Sequence, residues 1–140
     1  MQVVVFTDGG SRGNPGEAAV GGVVLAAETG EVLHEYAQTI GVATNNEAEY
    51  QSVIHVLTWL SENASVHSVT EINFKLDSML VVEQLQKHWK IKDDRMRALA
   101  QQCWQLLDKL NLPHSFRHVP RAENKSADAL VNQALDSAKV

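Results

Sequence analysis

Several things are scarce in this 140-residue chain. It has one cysteine, Cys103, and three prolines. A lone thiol excludes a disulfide-stapled scaffold and points to a reducing, cytoplasmic setting. No apolar run reaches the ~18 residues of a membrane span, so no membrane partner is expected. The opening Met1-Gln2-Val3-Val4-Val5 lacks the basic segment of a leader peptide. Eight glycines without a triplet repeat exclude collagen, and 44% hydrophobic residues exclude disorder. Positive charge is scarce in one half: residues 1–70 hold Arg12 as their only base against eight acids, while residues 71–140 hold eleven bases and nine acids. The net charge of −5 argues against a strong nonspecific grip on a polyanion, but the uneven distribution leaves such a partner open. What remains is one soluble domain over residues 1–140, with monomer as the default state.

Apolar β-branched stretches predict strands at 3–8, 18–27 and 32–40, the last two joined by a short turn at 28–31 and therefore antiparallel. Residues 11–16, with two glycines, Asn14 and Pro15, read as a loop, and Gly21-Gly22 as a bend or a close backbone approach. Helical periodicity marks 46–62, 78–87, 94–110 and 124–138, with further strands at 72–77 and 115–119. Three strands, a helix, a strand, two helices, a strand and a helix imply an α/β fold. The expectation is a five-stranded mixed sheet, three antiparallel strands plus two parallel ones beside the first, with helices on both faces. Sites in such sheets form at the carboxyl ends of the parallel strands.

Two strands end alike, at Asp8 and at Asp77. Either aspartate alone is an ordinary turn or helix cap, but as ends of neighbouring parallel strands they form a pair. Helical spacing separates Glu47 from Glu49. Glu47 shares its face with Gln51, His55, Thr58 and Glu62 and is expected to face water, favoured there by the helix dipole. Glu49 shares its face with Val53, Val56 and Leu60 and points inward, either as a site residue or as a helix-start glutamate. Asp128 borders the apolar face of the last helix and is a weak candidate by itself. Converging carboxylates repel by roughly 4 kcal/mol per pair at ~4 Å in an effective dielectric near 20. Protons or cations must relieve that repulsion. All-oxygen ligands suit Mg2+ or Mn2+, and two such ions clamp the attacking water and leaving oxygen of a phosphodiester.

Four pieces of the chain resemble type 1 ribonuclease H. They are Thr7-Asp8-Gly9-Gly10-Ser11-Arg12-Gly13-Asn14-Pro15-Gly16, Thr44-Asn45-Asn46-Glu47-Ala48-Glu49-Tyr50, Leu76-Asp77-Ser78, and His118-Val119-Pro120-Arg121-Ala122-Glu123-Asn124-Lys125-Ser126-Ala127-Asp128. The resemblance implies an endonuclease that cuts the RNA strand of an RNA–DNA hybrid, leaving 5′-phosphate and 3′-hydroxyl ends. Asp8, Glu49, Asp77 and Asp128 would be its metal-holding carboxylates and two divalent ions its cofactors. Asn14, Asn45 and Asn46 would read the minor groove, where the 2′-hydroxyl is both donor and acceptor. Gly9, Gly10 and Gly13 would let the backbone approach the substrate, Ser11 and Arg12 would join them in binding it, and Thr44 would hold a phosphate of the DNA strand. Asn and Gly also populate loops and caps without any such role.

A histidine ten residues before the last aspartate assists proton transfer in many relatives, and His118 has that spacing. Arg121 takes the place in a short, archaeal-like subgroup that the chain also resembles, and the choice between the two stays open. Met79 stands where many relatives carry a polar side chain, and residues 87–94 are too short for the basic helix that other members use as a handle. Hybrid affinity would then come from Lys87, Lys90, Lys92, Arg95 and Arg97 around Trp89, unless this stretch is a plain solvated loop with Trp89 packed on the core. Other readings are a junction resolvase or transposase core, which needs no 2′-hydroxyl recognition, and a binding module that has lost its metals. The glycine loop lacks the G-K-[ST] ending of a nucleotide-binding loop, and no small-molecule cofactor is expected.

Overall fold

Alternation of Val3, Val5 and Thr7 toward one side sets the central strand, and the sheet grows outward from it. The computed structural model describes residues 1–138. Strands β1 (Gln2–Gly13), β2 (Gly16–Ala26) and β3 (Val32–Ala43) form an antiparallel meander. β4 (Glu71–Leu76) and β5 (His114–His118) add in parallel on the other side of β1, giving the order β3-β2-β1-β4-β5. The helices are α1 (Asn45–Asn63), α2 (Met79–Leu85), α3 (Asp94–Leu110) and α4 (Lys125–Ser137), with a 3-10 turn at Arg121–Glu123 before the last. The expected mixed sheet is therefore present. None of the described helices is long and apolar enough to cross a membrane.

One face of the sheet carries the main core. Val3, Val5, Val20 and Val24 meet Tyr50, Val53, Val56, Leu57 and Leu60 of α1, with Ala100, Cys103 and Leu107 of α3 behind them. Each such side chain, fully buried, contributes about 1.5–3 kcal/mol of hydrophobic stabilisation. On the opposite face α4 packs Val131, Ala134 and Leu135 against Ala19.

Two local expectations change. Residues 11–16 are mostly strand, not loop: Ser11 pairs with Ala18, Arg12 with Glu17 and Gly13 with Gly16, leaving Asn14-Pro15 as the turn. Gly13 adopts φ +101°, which lets the two strands stay paired up to the turn, so turn-forming residue types concealed a hairpin. Glu47 does not face open water, for its side chain is only 14% exposed. It completes a capping box: the Thr44 hydroxyl accepts the Glu47 N–H at 3.1 Å and the Glu47 carboxylate accepts the Thr44 N–H at 2.9 Å.

Close backbone packing holds both helices to the sheet. A Cβ on Gly9 would overlap the Ala48 carbonyl of α1. A Cβ on Gly21 would stand 2.8 Å from the Ala127 carbonyl oxygen of α4. The expected close backbone approach therefore holds at Gly21, while Gly22 makes room for the Tyr36 ring. Gly9→Ala and Gly21→Ala are each expected to cost about 1–3 kcal/mol, read as a lower urea midpoint at unchanged slope. Midpoints equal to the parent in both would show that the helices can back away freely.

Candidate active site

The register of the parallel pair builds the site. Thr7 pairs with Leu76, so Asp8 and Asp77, the next residue of each strand, emerge side by side at roughly one strand spacing of ~4.8 Å. α1 crosses this end of the sheet and presents Glu49 from its second turn. Asp8, Glu49 and Asp77 each bring a carboxylate oxygen within 4.8 Å of the other two. Asp8 is 4% exposed and Glu49 7% exposed, while Asp77 is half-buried.

The electrostatics are those of an under-neutralised pocket. The Gly9 N–H donates to Glu49 Oε1 at 3.2 Å, but the other carboxylate oxygen, Oε2, is buried with no partner among the described residues. Burial, above all, pushes Asp8 up to about 6; a hydrogen bond with Glu49 opposes the rise, and the charges of Asp77 and Asp128 add to it. Glu49 is raised well above the usual carboxylate range, again by burial first and then by Asp8 and Asp77. An all-oxygen cluster with one buried oxygen lacking any donor fits a hard divalent cation.

Asp128 lies in the first turn of α4, half-buried, and stands outside the 4.8 Å group. Its charge still helps to raise Asp8. His118 ends β5 opposite Leu76, and Arg121 opens the 3-10 turn; both are exposed at the same end of the sheet.

The glycine-rich hairpin is laced to the start of α1. Asn14 Oδ1 accepts the Asn45 N–H at 3.0 Å, and Asn45 Oδ1 accepts the Ser11 N–H at 2.9 Å. Asn46 is exposed beside them, and Thr44 caps the helix. Gly9 is buried under α1, whereas Gly10 is partly open. Arg12 is drawn away to Asp136 of α4, 2.6 Å away. Lys87, Trp89, Lys90, Lys92 and Trp104 line one concave surface, with the Lys87 ammonium 4.8 Å from the Trp104 ring centre. Trp89 is 46% exposed and not packed into the core. Arg95 reaches Glu47 at 3.7 Å and Arg97 pairs with Asp94, while Lys90 and Lys92 make no ion pair among the described residues.

One site residue had no assigned role in the sequence. Asn124 is 1% exposed and donates from Nδ2 to the Thr7 carbonyl at 2.9 Å and to Asp77 Oδ2 at 3.1 Å. Its place at a helix start, four residues before Asp128, suggests an ordinary cap, so nothing in the sequence separated it from one.

Comparison with known proteins follows the same lines. The family model described as Reverse transcriptase-like matches residues 6–134. The Bifunctional protein Rv2228c of Mycobacterium tuberculosis is 44% identical over 138 residues, covering 99% of this chain but 36% of that protein. The chain thus spans about a third of the length of the mycobacterial relatives it matches. Among solved structures, RNase H1 from the halophilic archaeon Halobacterium salinarum is similar at a TM-score of 0.87 and 42% identity, covering 98% of this chain and 99% of that one. LC11-RNase H1, solved in complex with an RNA/DNA hybrid, is similar at a TM-score of 0.91 and 35% identity, covering 99% of both chains.

The raised Asp8 carboxyl has a stability consequence with a definite sign. An acid whose folded pKa lies above its unfolded value binds more protons when folded, so it costs stability as pH rises through that window, from about 4 to about 6. The metal-free protein is expected to lose stability across this window and Asp8→Asn to be flatter, with the variant the more stable of the two in EDTA near neutral pH. Adding Mn2+ should raise the melting temperature of the parent and leave that of the variant nearly unchanged. A variant less stable than its parent in EDTA would contradict the repulsive cluster.

Proposed function

The chain belongs to the type 1 ribonuclease H family, and on that premise we propose that it hydrolyses the RNA strand of RNA–DNA hybrids, using two Mg2+ or Mn2+ ions and leaving 5′-phosphate and 3′-hydroxyl ends. The observation that carries this reading is the convergence of Asp8, Glu49 and Asp77 around a buried oxygen with no donor. Asp8, Glu49 and Asp77, with Asp128 from the facing helix, hold the ions. The ions, when bound, supply the Lewis acidity that activates a water and neutralises the leaving oxygen.

The chain's own groups do the rest. Asn14 and Asn45 spend their carbonyl oxygens on the hairpin-to-helix lacing, which leaves their amide N–H groups, together with Asn46, for a minor groove and its 2′-hydroxyl. Gly10 and Ser11 bring backbone close to the RNA strand, Thr44 holds a DNA phosphate beside the helix start, and Arg12 borders the same hairpin. Arg121 places a fixed positive charge beside the cleaved phosphate, with His118 as its neighbour at the strand end. Lys90 and Lys92 attract the hybrid from outside the centre. Residues 1–140 act as one catalytic domain, as a monomer, in the cytoplasm.

The deciding assay offers labelled hybrid, duplex RNA, duplex DNA and a four-way junction in the presence of Mg2+ or Mn2+. Cleavage of the RNA strand of the hybrid, with kcat reduced about a thousandfold or more in Asp77→Asn, is expected; a junction-only cut, or binding without cutting, would overturn the reading. Removing Lys90 and Lys92 together should raise KM severalfold and flatten the salt dependence by about one to two log units per log unit of salt, with kcat nearly unchanged. Equal losses in kcat and kcat/KM would count against a binding role. Arg121→Ala should lower kcat about tenfold or more, with a smaller loss in His118→Ala; the reverse order would assign the role to His118.

A further inference from the structure

We infer that Asn124 is a positioning residue for the acidic cluster, tethering the Asp77 carboxylate and the end of β1 with one neutral amide so that the cluster is preformed for a divalent cation. This rests on reading the cluster as a metal site.

Asn124 occupies the N-cap position of α4, yet its side chain makes no cap hydrogen bond. The ordinary reason for an asparagine at a helix start is therefore missing. The side chain turns inward instead and is almost completely buried. Both groups that face its nitrogen, the Thr7 carbonyl at 2.9 Å and Asp77 Oδ2 at 3.1 Å, act only as acceptors when Asp77 is ionised. That fixes the amide with its nitrogen toward them. The cost is visible on the other side, where Asn124 Oδ1 is buried with no partner among the described residues. An apolar residue would spare that oxygen but strand the Thr7 carbonyl and Asp77 Oδ2, so it is the two acceptors that call for an amide.

The contacts are selective. Thr7 is the residue before Asp8, and the backbone oxygen of Asn124 accepts the Asp128 N–H at 3.1 Å. Its side chain thus ties the backbone beside Asp8 to the side chain of Asp77, one helical turn before Asp128, to which its backbone makes only the ordinary first-turn bond of α4. Charge matters as well as reach. A lysine or arginine in this place would neutralise Asp77 and compete with a bound ion, and a carboxylate would add to the repulsion. A neutral donor restrains the Asp77 rotamer and leaves its charge available, which is the usual function of groups that orient metal ligands.

The test uses the metal-stripped full chain, titrated calorimetrically with Mn2+, alongside hybrid cleavage as a function of Mn2+. Asn124→Ala removes both tethers. Asn124→Ser is the arm that protects against misfolding: serine starts helices well but is too short to span both acceptors. Both variants should bind Mn2+ about 10- to 100-fold more weakly. Their kcat should fall at limiting Mn2+ and recover as Mn2+ is raised, with KM for the hybrid held within about twofold; a purely structural role would not shift the metal midpoint alone. A folded Asn124→Ser protein that binds Mn2+ as tightly as the parent, with parental kcat at limiting metal, would overturn the inference. If the parent binds Mn2+ but cuts no nucleic acid, hybrid cleavage fails while the calorimetric arm still decides on Asn124. If the parent binds no Mn2+, both readings fall.

Discussion

Carboxylates crowded where water cannot screen them repel one another, and the architecture around them is arranged to sustain that repulsion. Asp8 and Glu49 are nearly inaccessible, and Asp77 and Asp128 add charge from two sides. Among the described residues only the Gly9 N–H and the Asn124 amide offset it, and Glu49 keeps one oxygen without a donor among them. Such a cluster persists because rigid packing overrules local preference. The parallel register of β1 and β4, the seat of α1 on the backbone at Gly9, and the apolar cores on both sheet faces supply that packing.

The surroundings of the cluster divide by stiffness. On one side, Ser11, Asn14 and Asn45 stitch the β1–β2 hairpin to the capped start of α1, so the groups proposed to read a minor groove are held before any ligand arrives. On the other side, Lys90 and Lys92 are exposed, and Trp89 is half open beside them. Long flexible cations suit attraction over distance, and fixed amides suit discrimination at contact. In the proposed reading this division lets a chain with net charge −5 address a polyanion, because the bases are clustered and not spread over the chain.

Period and punctuation in the chain were enough for much of this. Strand-ending Asp8 and Asp77, and Glu49 on the apolar stripe of its helix, could be read because alternation and the 3.6-residue repeat are local properties. The family motifs named the same residues independently. Other features stayed hidden for equally physical reasons. The hairpin beyond Asp8 looked like a loop because glycine, asparagine and proline mark turns whether the flanking backbone is paired or not. Glu47 looked solvated because helical spacing says nothing of a side chain that folds back to its own helix start.

The sequence by itself therefore determined the order of elements, the mixed sheet and the inward face of Glu49, since each follows from neighbours within a turn or a strand, while Asp128 was named only by the family motif. Only the tertiary structure decided that Asn124 faces inward to Thr7 and Asp77, 117 and 47 residues away in the chain, and that Glu49 is left with an oxygen that no described residue satisfies. Those are long-range pairings, set by how packed elements share space, and no local pattern encodes which donor ends beside which acceptor.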